Sequence, residues 1–553
     1  MDARVIDPDP AVSEAGTLVR HMRQVLLWPV YVDPLTNDAK IDAHFQLLST
    51  PSPDNPWVEV DDEFGDPAEF QERHYNEFVT FLPPVQRFLY GQGLGKAVKQ
   101  IYGESPIKVM RRKDVAKVRV TLTKDSQPVE FAVQHVDLYL FFDIDVVLLT
   151  MELVAENVDL KIAEAALFRL GRAYPAYWTK DGSGGHCPYA CEWLSATGEV
   201  LARSDYENRE KFLTFVCQHR APAVAAHWEF LLSPLVLHHS DRKGDGRYHQ
   251  LEYYRMPFMA FLAFDDSSKL TPADHVRLAL GANTRAGTEV AFSQKYLAEF
   301  EEKYSYDCYC QDAPSGENGV RFFATGHTLV VAGDVGDPFF MDENGFLGRF
   351  RHQHFLLFMV AHFQKAAIRM FSDRLVAIVN KLDIKNQEAN RTFRREIREV
   401  LENFLRFEHR YWFHDLSNQA QCKELFQLTQ SHLKLDHLFS EVREELQDMS
   451  SFLEVEAARR QNETVVRLTV VTTFGLIGTI VTGFLGMNLI AWAEQPPQWR
   501  IAAFLIVLVP VIALTLYTVM KSSRLAEFLE AIADDTVSVW GKLKVLCRVW
   551  WRR

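Results

Sequence analysis

Asn462, Val465, Thr469, Thr472, Leu476, Thr479 and Gly483 recur every three or four residues, a spacing that puts them on one face of a helix. The face carries hydroxyls, an amide and a glycine, and it runs into Leu468–Ala493, a stretch without a charged residue. Two chemistries use such a face. A pore built by repeating the helix about an axis needs oxygen atoms along its wall. A helix that only anchors or packs returns each threonine hydroxyl to its own i−4 carbonyl and uses small residues for close approach. The spacing alone leaves both open. Leu468 and Leu476 lie on or beside the same face, where a ring of leucines would form a dry constriction.

These residues need a helix that crosses something apolar. Leu468–Ala493 and Ile501–Met520 are both uncharged, and each is long enough as a helix to cross a hydrocarbon core of ~30 Å. Between them Leu489–Arg500 is short and holds Glu494, Pro496, Pro497 and Arg500. A two-helix transmembrane hairpin is expected. Arg459, Arg460 and Arg467 precede the first run, and Lys521 and Arg524 follow the second, so both termini are expected in the cytoplasm and the loop outside. Met1–Ala15 is acidic and has no apolar core of a secretory signal. Trp540, Trp550 and Trp551 among Lys542, Lys544, Arg548, Arg552 and Arg553 suggest a tail lying on an anionic lipid surface.

Upstream, Leu425, Leu428, His432, Leu435, Phe439, Val442, Leu446, Met449 and Leu453 alternate steps of three and four, the seam of a helix packed lengthwise. Neither Gly nor Pro interrupts Cys422–Phe474, so one continuous stalk helix is expected. Phe355–Val379 and Asn390–Phe407 read as further helices. The N-terminal part reads as α/β. Val25–Val32, Val118–Leu122 and Val136–Ile144 are strand-like, Leu160–Arg172 is helical, Trp228–His239 and Met256–Phe264 look like a second pair of strands, and Leu329–Ala332 is a last short strand before a loop over Gly333–Gly348.

Gly486-Met487-Asn488 at the end of the first uncharged run, with only two such runs at the C-terminus, resembles the CorA family of divalent-cation channels. Asn462-Glu463-Thr464-Val465-Val466-Arg467-Leu468-Thr469 is similar to the stretch that opens the pore helix in that family. Glu494 matches a position where relatives often carry a loop acid. Leu485 departs from the usual Tyr, and no second acid stands near Ile490, which implies a weaker pull on cations at the external mouth. The resemblance covers about the last quarter of the chain. It implies a homo-oligomer, a pentamer in the family, passing Mg²⁺ through a ring of Asn488 side-chain carbonyls. Mg²⁺ keeps several of its waters when bound, so neutral oxygens at the mouth can hold the hydrated ion without stripping it. Gly486 permits a tight backbone approach, and Met487 is a packing residue. The pore-lining set is then Asn462, Val465, Leu468, Thr469, Thr472, Leu476, Thr479 and Gly483. Relatives sense internal Mg²⁺ with carboxylates between cytoplasmic domains, and Asp61, Asp62, Glu63, Asp143 and Asp145 are candidates here.

The expected organisation is a cytoplasmic α/β domain over 1–345, helices and stalk over 346–462, a first transmembrane helix over 463–489, an external loop over 490–500, a second transmembrane helix over 501–520 and a basic cytoplasmic tail over 521–553. The formal charge of −13 argues against a nucleic-acid partner. No catalytic motif stands out: Gly182–Gly185 lacks the Lys-Ser/Thr of a phosphate loop, so an enzyme tethered by the hairpin is disfavoured. No cofactor is implied beyond the transported and candidate regulatory cation. His186, Cys187, Cys191, Cys217 and His219, with Cys308 and Cys310, are zinc candidates, although their spacing lacks the paired Cys-x2-Cys form. His238, His239 and His249 are expected to face solvent. The expectation is a CorA-like Mg²⁺ channel of an inner (plasma) membrane. The alternatives are a Zn²⁺, Co²⁺ or Ni²⁺ transporter, or a membrane effector whose large N-terminal domain binds a small signalling molecule.

Overall fold

The computed structural model describes residues 17–33, 42–50, 55–60, 72–91, 106–141, 144–244, 246–251, 255–282, 293–306, 319–381, 387–490, 496–499, 501–502, 504–506 and 508–513. Met1–Ala15, Asp61, Asp62, Glu63, Asp143, Cys308, Cys310, Glu494 and the tail from Lys521 lie outside them. The chain divides into two compact units, Met1–Arg443 and Glu444–Arg553, and the helices expected to begin a separate stalk region at 346 belong to the first as far as Arg443.

The first unit is built on one sheet, whose described strands are β1 Leu18–Val32, β2 Trp57–Glu59, β3 Ile107–Arg112, β4 Lys117–Thr121, β5 Val129–Phe141, β6 Val146–Asp159, β7 Ala190–Leu194, β8 Val200–Arg203, β9 Val236–Leu237, β10 Arg247–Gln250, β11 Phe258–Phe264, β12 Ser305–Tyr306, β13 Arg321–Ala324 and β14 Thr328–Asp334. The main order is β12-β13-β14-β11-β1-β6-β5-β4-β7-β8, with β10 on β1 and β9, and β3 on β5 and β2. Most pairs are antiparallel, while β11 runs parallel to β14 and β9 to β10.

β1 is central, and nearly all of its side chains are buried, as its run Val25–Val32 demands. It carries Pro29, which has no N–H for a ladder. The strand tolerates it because its pairing with β11 ends at Leu26 and its pairing with β10 begins at Val30, so Pro29 sits in the handover. The handover also brings β10 to the end of β1, where Tyr31 faces His249.

The helix Phe355–Asn380 is buried at every position from Leu357 to Ile368, including the polar His362, Gln364 and Lys365, so it lies in the core on all sides. Phe363 stacks on Phe141 of β5 at 3.9 Å. The helix Gln387–Arg410 turns only one stripe inward: Phe393, Ile397, Val400, Phe404 and Phe407 are buried at steps of four and three. Phe371 meets Phe404 and Phe407 at 5.4 and 5.6 Å, and Phe404 in turn stacks on Phe439 at 5.5 Å. Trp412 closes over Phe439 at 4.2 Å. The upstream half of the seam therefore packs inside the chain: Leu425, Leu435, Phe439, Val442 and Leu446 are all buried.

Three readings of the sequence are corrected. The stalk is two helices, Ala420–Leu433 and Leu435–Ile490, broken at Lys434, which adopts a left-handed φ of 56°. Leu433 and Leu435 are both buried, yet two positions apart on an unbroken helix they would point to nearly opposite sides, and the break lets both face inward. Gly326 helps fix it: a Cβ there would lie 2.9 Å from the His432 backbone, so only glycine lets the β13–β14 turn lie against the helix end. Trp228–His239 is a helix, Ala226–Leu232, followed by the two-residue β9 rather than one strand, and Trp228 is anchored by its indole N–H on the Arg172 carbonyl at 2.7 Å. Gly333–Gly348 contains two helical turns, Pro338–Met341 and Phe346–Arg349.

Lys434→Gly tests the break by the sign of its effect. A left-handed conformation costs a residue with a Cβ about 1 kcal/mol, so glycine should raise the thermal midpoint. Glycine inside an uninterrupted helix would lower stability by about the same amount, and a lowered midpoint would return the stalk to one helix.

Candidate functional site

The helix Leu435–Ile490 carries the residues singled out for chemistry, and Gly486-Met487-Asn488 fall in its last turns. Asn462, Val465, Leu468, Thr469, Thr472, Leu476, Thr479, Gly483 and Gly486 are all exposed. Leu468 and Leu476 stand 62% and 63% exposed, which is unusual for leucine in water. Ile480, Ile501, Ile506 and Val509 of the same unit are also open.

The hydroxyls are already half used. Thr469 donates to the Val465 carbonyl at 2.9 Å, Thr472 to Leu468 at 2.9 Å, Thr479 to Gly475 at 2.9 Å and Thr482 to Gly478 at 2.9 Å. Each is the i−4 return that a merely packing threonine would make. A hydroxyl has one proton and two lone pairs, so a threonine in this state turns acceptor capacity outward and has no proton to give. Such a face suits groups that donate hydrogen bonds, among them water bound to a cation.

A second stripe, not singled out in the sequence, points elsewhere. Val471, Gly475 and Thr482 are half-buried, and Gly478 is buried. A Cβ on Gly478 would come within 2.9 Å of Val511 Cγ1, so the helical residues 508–513 pass close to it. The readable signal is Gly478, a small residue of the kind that lets helices approach closely. Occupation of this stripe within the chain leaves the hydroxyl face uncovered. Among the described residues no helix is long and apolar enough to cross a membrane.

The zinc candidates are not gathered into a ligand set among the described residues. Cys187 and Cys191 are buried, and burial pushes the Cys187 thiol up to about 12 and raises that of Cys191 as well, which disfavours the thiolate a metal needs. His186 packs edge-on against Phe168 and Tyr177, each at 5.3 Å. Cys217 is exposed, and the His219 ring stacks on His239 at 5.3 Å. Of the candidate sensing acids, Asp145 is buried and paired with Arg374.

Residues 371–521 match the family model for CorA-like Mg²⁺ transporter protein. Over that stretch the chain is similar to the CorA-like family. The match takes in both Asn462–Thr469 and Gly486-Met487-Asn488, begins inside the helix Phe355–Asn380 and leaves every strand of the sheet outside it. That family is described as one of transporters. No curated protein matches the chain.

The stripe at Gly478 gives a direct structural test. Gly478→Leu should separate the two helices and lower the thermal midpoint in detergent, since valine is stiff about χ1 and Val511 cannot readily turn away. Gly475→Ala meets nothing within 4 Å and should hold or raise it. Equal tolerance of both substitutions would mean that the helices do not meet at Gly478.

Proposed function

We propose that the chain assembles into a CorA-like channel passing divalent cations, Mg²⁺ first among them, down their electrochemical gradient across the inner membrane. The observation that carries the reading is the exposed, acceptor-only hydroxyl face that leads to Gly486-Met487-Asn488 inside the family match. In this reading the two uncharged runs of the sequence, Leu468–Ala493 and Ile501–Met520, are the spans, each of a length that suits the hydrocarbon core as a helix. Copies of the helix surround an axis with the hydroxyl face inward, in a pentamer if the family number holds. The exposed apolar side chains off that face then meet lipid.

A hydrated Mg²⁺ donates hydrogen bonds through its bound waters. Threonine oxygens whose own protons are committed to the backbone can accept them along the pore, and a ring of Asn488 amides accepts them at the mouth. Neutral acceptors hold the ion loosely enough to release it, as conduction requires. Leu468 and Leu476 form the dry constriction that closes the path when the helices draw together.

Asn488→Ala removes one acceptor per subunit. Each contact is worth about 1 kcal/mol, and the loss repeats around the ring, so uptake into proteoliposomes should fall by roughly tenfold or more with the oligomer intact. Wild-type uptake by the assembled variant would overturn the channel reading. The same assay run with Mg²⁺, Co²⁺, Ni²⁺ and Zn²⁺ identifies the cargo, and preference for one of the last three would replace Mg²⁺. Leu476→Asn should wet the constriction and raise leak, whereas Val471→Asn on the packed stripe should not. Equal leak from the two would mean that the helix is rotated from this assignment.

A further inference from the structure

Asp33, His238 and His249 lie 205 and 216 residues apart along the chain and meet where β1, β9 and β10 end together. Asp33 directly follows β1, and its N–H donates to the Arg247 carbonyl at 2.8 Å. His249 sits on β10 opposite Tyr31. His238 follows β9, and its N–H donates to the Tyr248 carbonyl at 2.9 Å. Backbone ladders therefore fix all three positions, so the cluster is held by the sheet and not by loops.

The side chains converge. His249 Nε2 lies 2.9 Å from Asp33 Oδ1, and His238 Nδ1 is hydrogen-bonded to Asp33 Oδ2. The two imidazole centroids are 3.8 Å apart. One ligand atom from each residue lies within 4.8 Å of the others, and no second group of this kind occurs among the described residues. All three are partly exposed, so an ion can enter from water. The expectation that these histidines simply face solvent is thus corrected: their ring nitrogens are turned onto one carboxylate.

A divalent ion could be held between the two ring nitrogens, with the imidazoles neutral, and the carboxylate oxygens. A tetrahedral ion with bonds of about 2.0–2.1 Å needs its ligand atoms roughly 3.4 Å apart, within reach of these atoms by side-chain rotation alone. Two nitrogens and one oxygen suit zinc, cobalt or nickel, whereas Mg²⁺ demands octahedral oxygen.

We propose that Asp33, His238 and His249 form a binding site for a transition-metal ion of the zinc class, separate from any ion that the CorA-like region conducts. Three protein ligands leave one position of a tetrahedral ion to water, and His239, whose ring lies 4.6 Å from that of His238, flanks it. The site also backs onto Tyr31, whose ring lies 5.4 Å from that of His249, with the Arg374 guanidinium 5.5 Å over it. Arg374 belongs to the helix in which the family match begins.

The test uses chelator-stripped full-length protein in detergent, titrated with Zn²⁺ in excess Mg²⁺, and separately with Co²⁺ to read visible absorption. The Asn488→Ala protein is titrated in parallel, so that ions held in the conduction path are not counted. One Zn²⁺ per chain should bind in both backgrounds, and Co²⁺ should give the absorption of a four-coordinate ion with nitrogen and oxygen ligands. His249→Gln and Asp33→Asn should each abolish both signals. His238→Cys should keep the ion and add a thiolate-to-Co²⁺ charge-transfer band, which guards against loss through misfolding. Absence of Zn²⁺ binding by the wild type, or undiminished binding by a folded His249→Gln protein, would overturn the proposal.

Discussion

A threonine hydroxyl has one proton, and on the helix Leu435–Ile490 the described threonines of the uncharged run give it to the backbone one turn below. That bond determines what the face can do. It satisfies the hydroxyl without a partner helix, so the residue can stand at a surface without a desolvation penalty. It also fixes the polarity of what remains: lone pairs outward and nothing to donate. The pore reading and the packing reading both begin from this bond. They part over whether the oxygen side is covered, and among the described residues it is not.

The division of faces follows from the second stripe. Gly478 brings Val511 close, and Val471, Gly475 and Thr482 flank that contact. With that stripe taken by the segment around Val511, only the remaining faces are left for the lipid and the other copies that the proposed channel requires. At the other end of the same helix Phe439 is clasped by Phe404 and Trp412. One helix thus carries a dry aromatic clasp near its start and an oxygen-lined face near its end.

The C-terminal features were legible because they are local. A hydroxyl every three or four residues, an uncharged run and a tripeptide at its end can each be read without knowing the rest of the fold. The strands of the sheet were partly legible: β1, β4, β5, β11 and β14 show as apolar runs, whereas β6 was passed over and Trp228–His239 was misread, because a short buried helix and a buried strand look alike in apolar content. The break at Lys434 has no local signal, neither Gly nor Pro, and arises from burying Leu433 and Leu435 together. The meeting of Asp33 with His238 and His249 depends on strand order and could not be read from spacing. The proposed zinc set failed for the converse reason: its members are near in sequence, but the fold buries Cys187 and Cys191 and leaves Cys217 exposed.

The account is tested most directly by the accessibility of single cysteines placed along the helix, read as block of cation current by a membrane-impermeant thiol reagent. Thr472→Cys, Leu476→Cys, Thr479→Cys and Gly483→Cys should react from the aqueous path and block current. Val471→Cys and Thr482→Cys, on the stripe turned to the second helix, should not. Block from the second set with none from the first would place the conduction path on the wrong face, and the acceptor-lined pore would have to be abandoned.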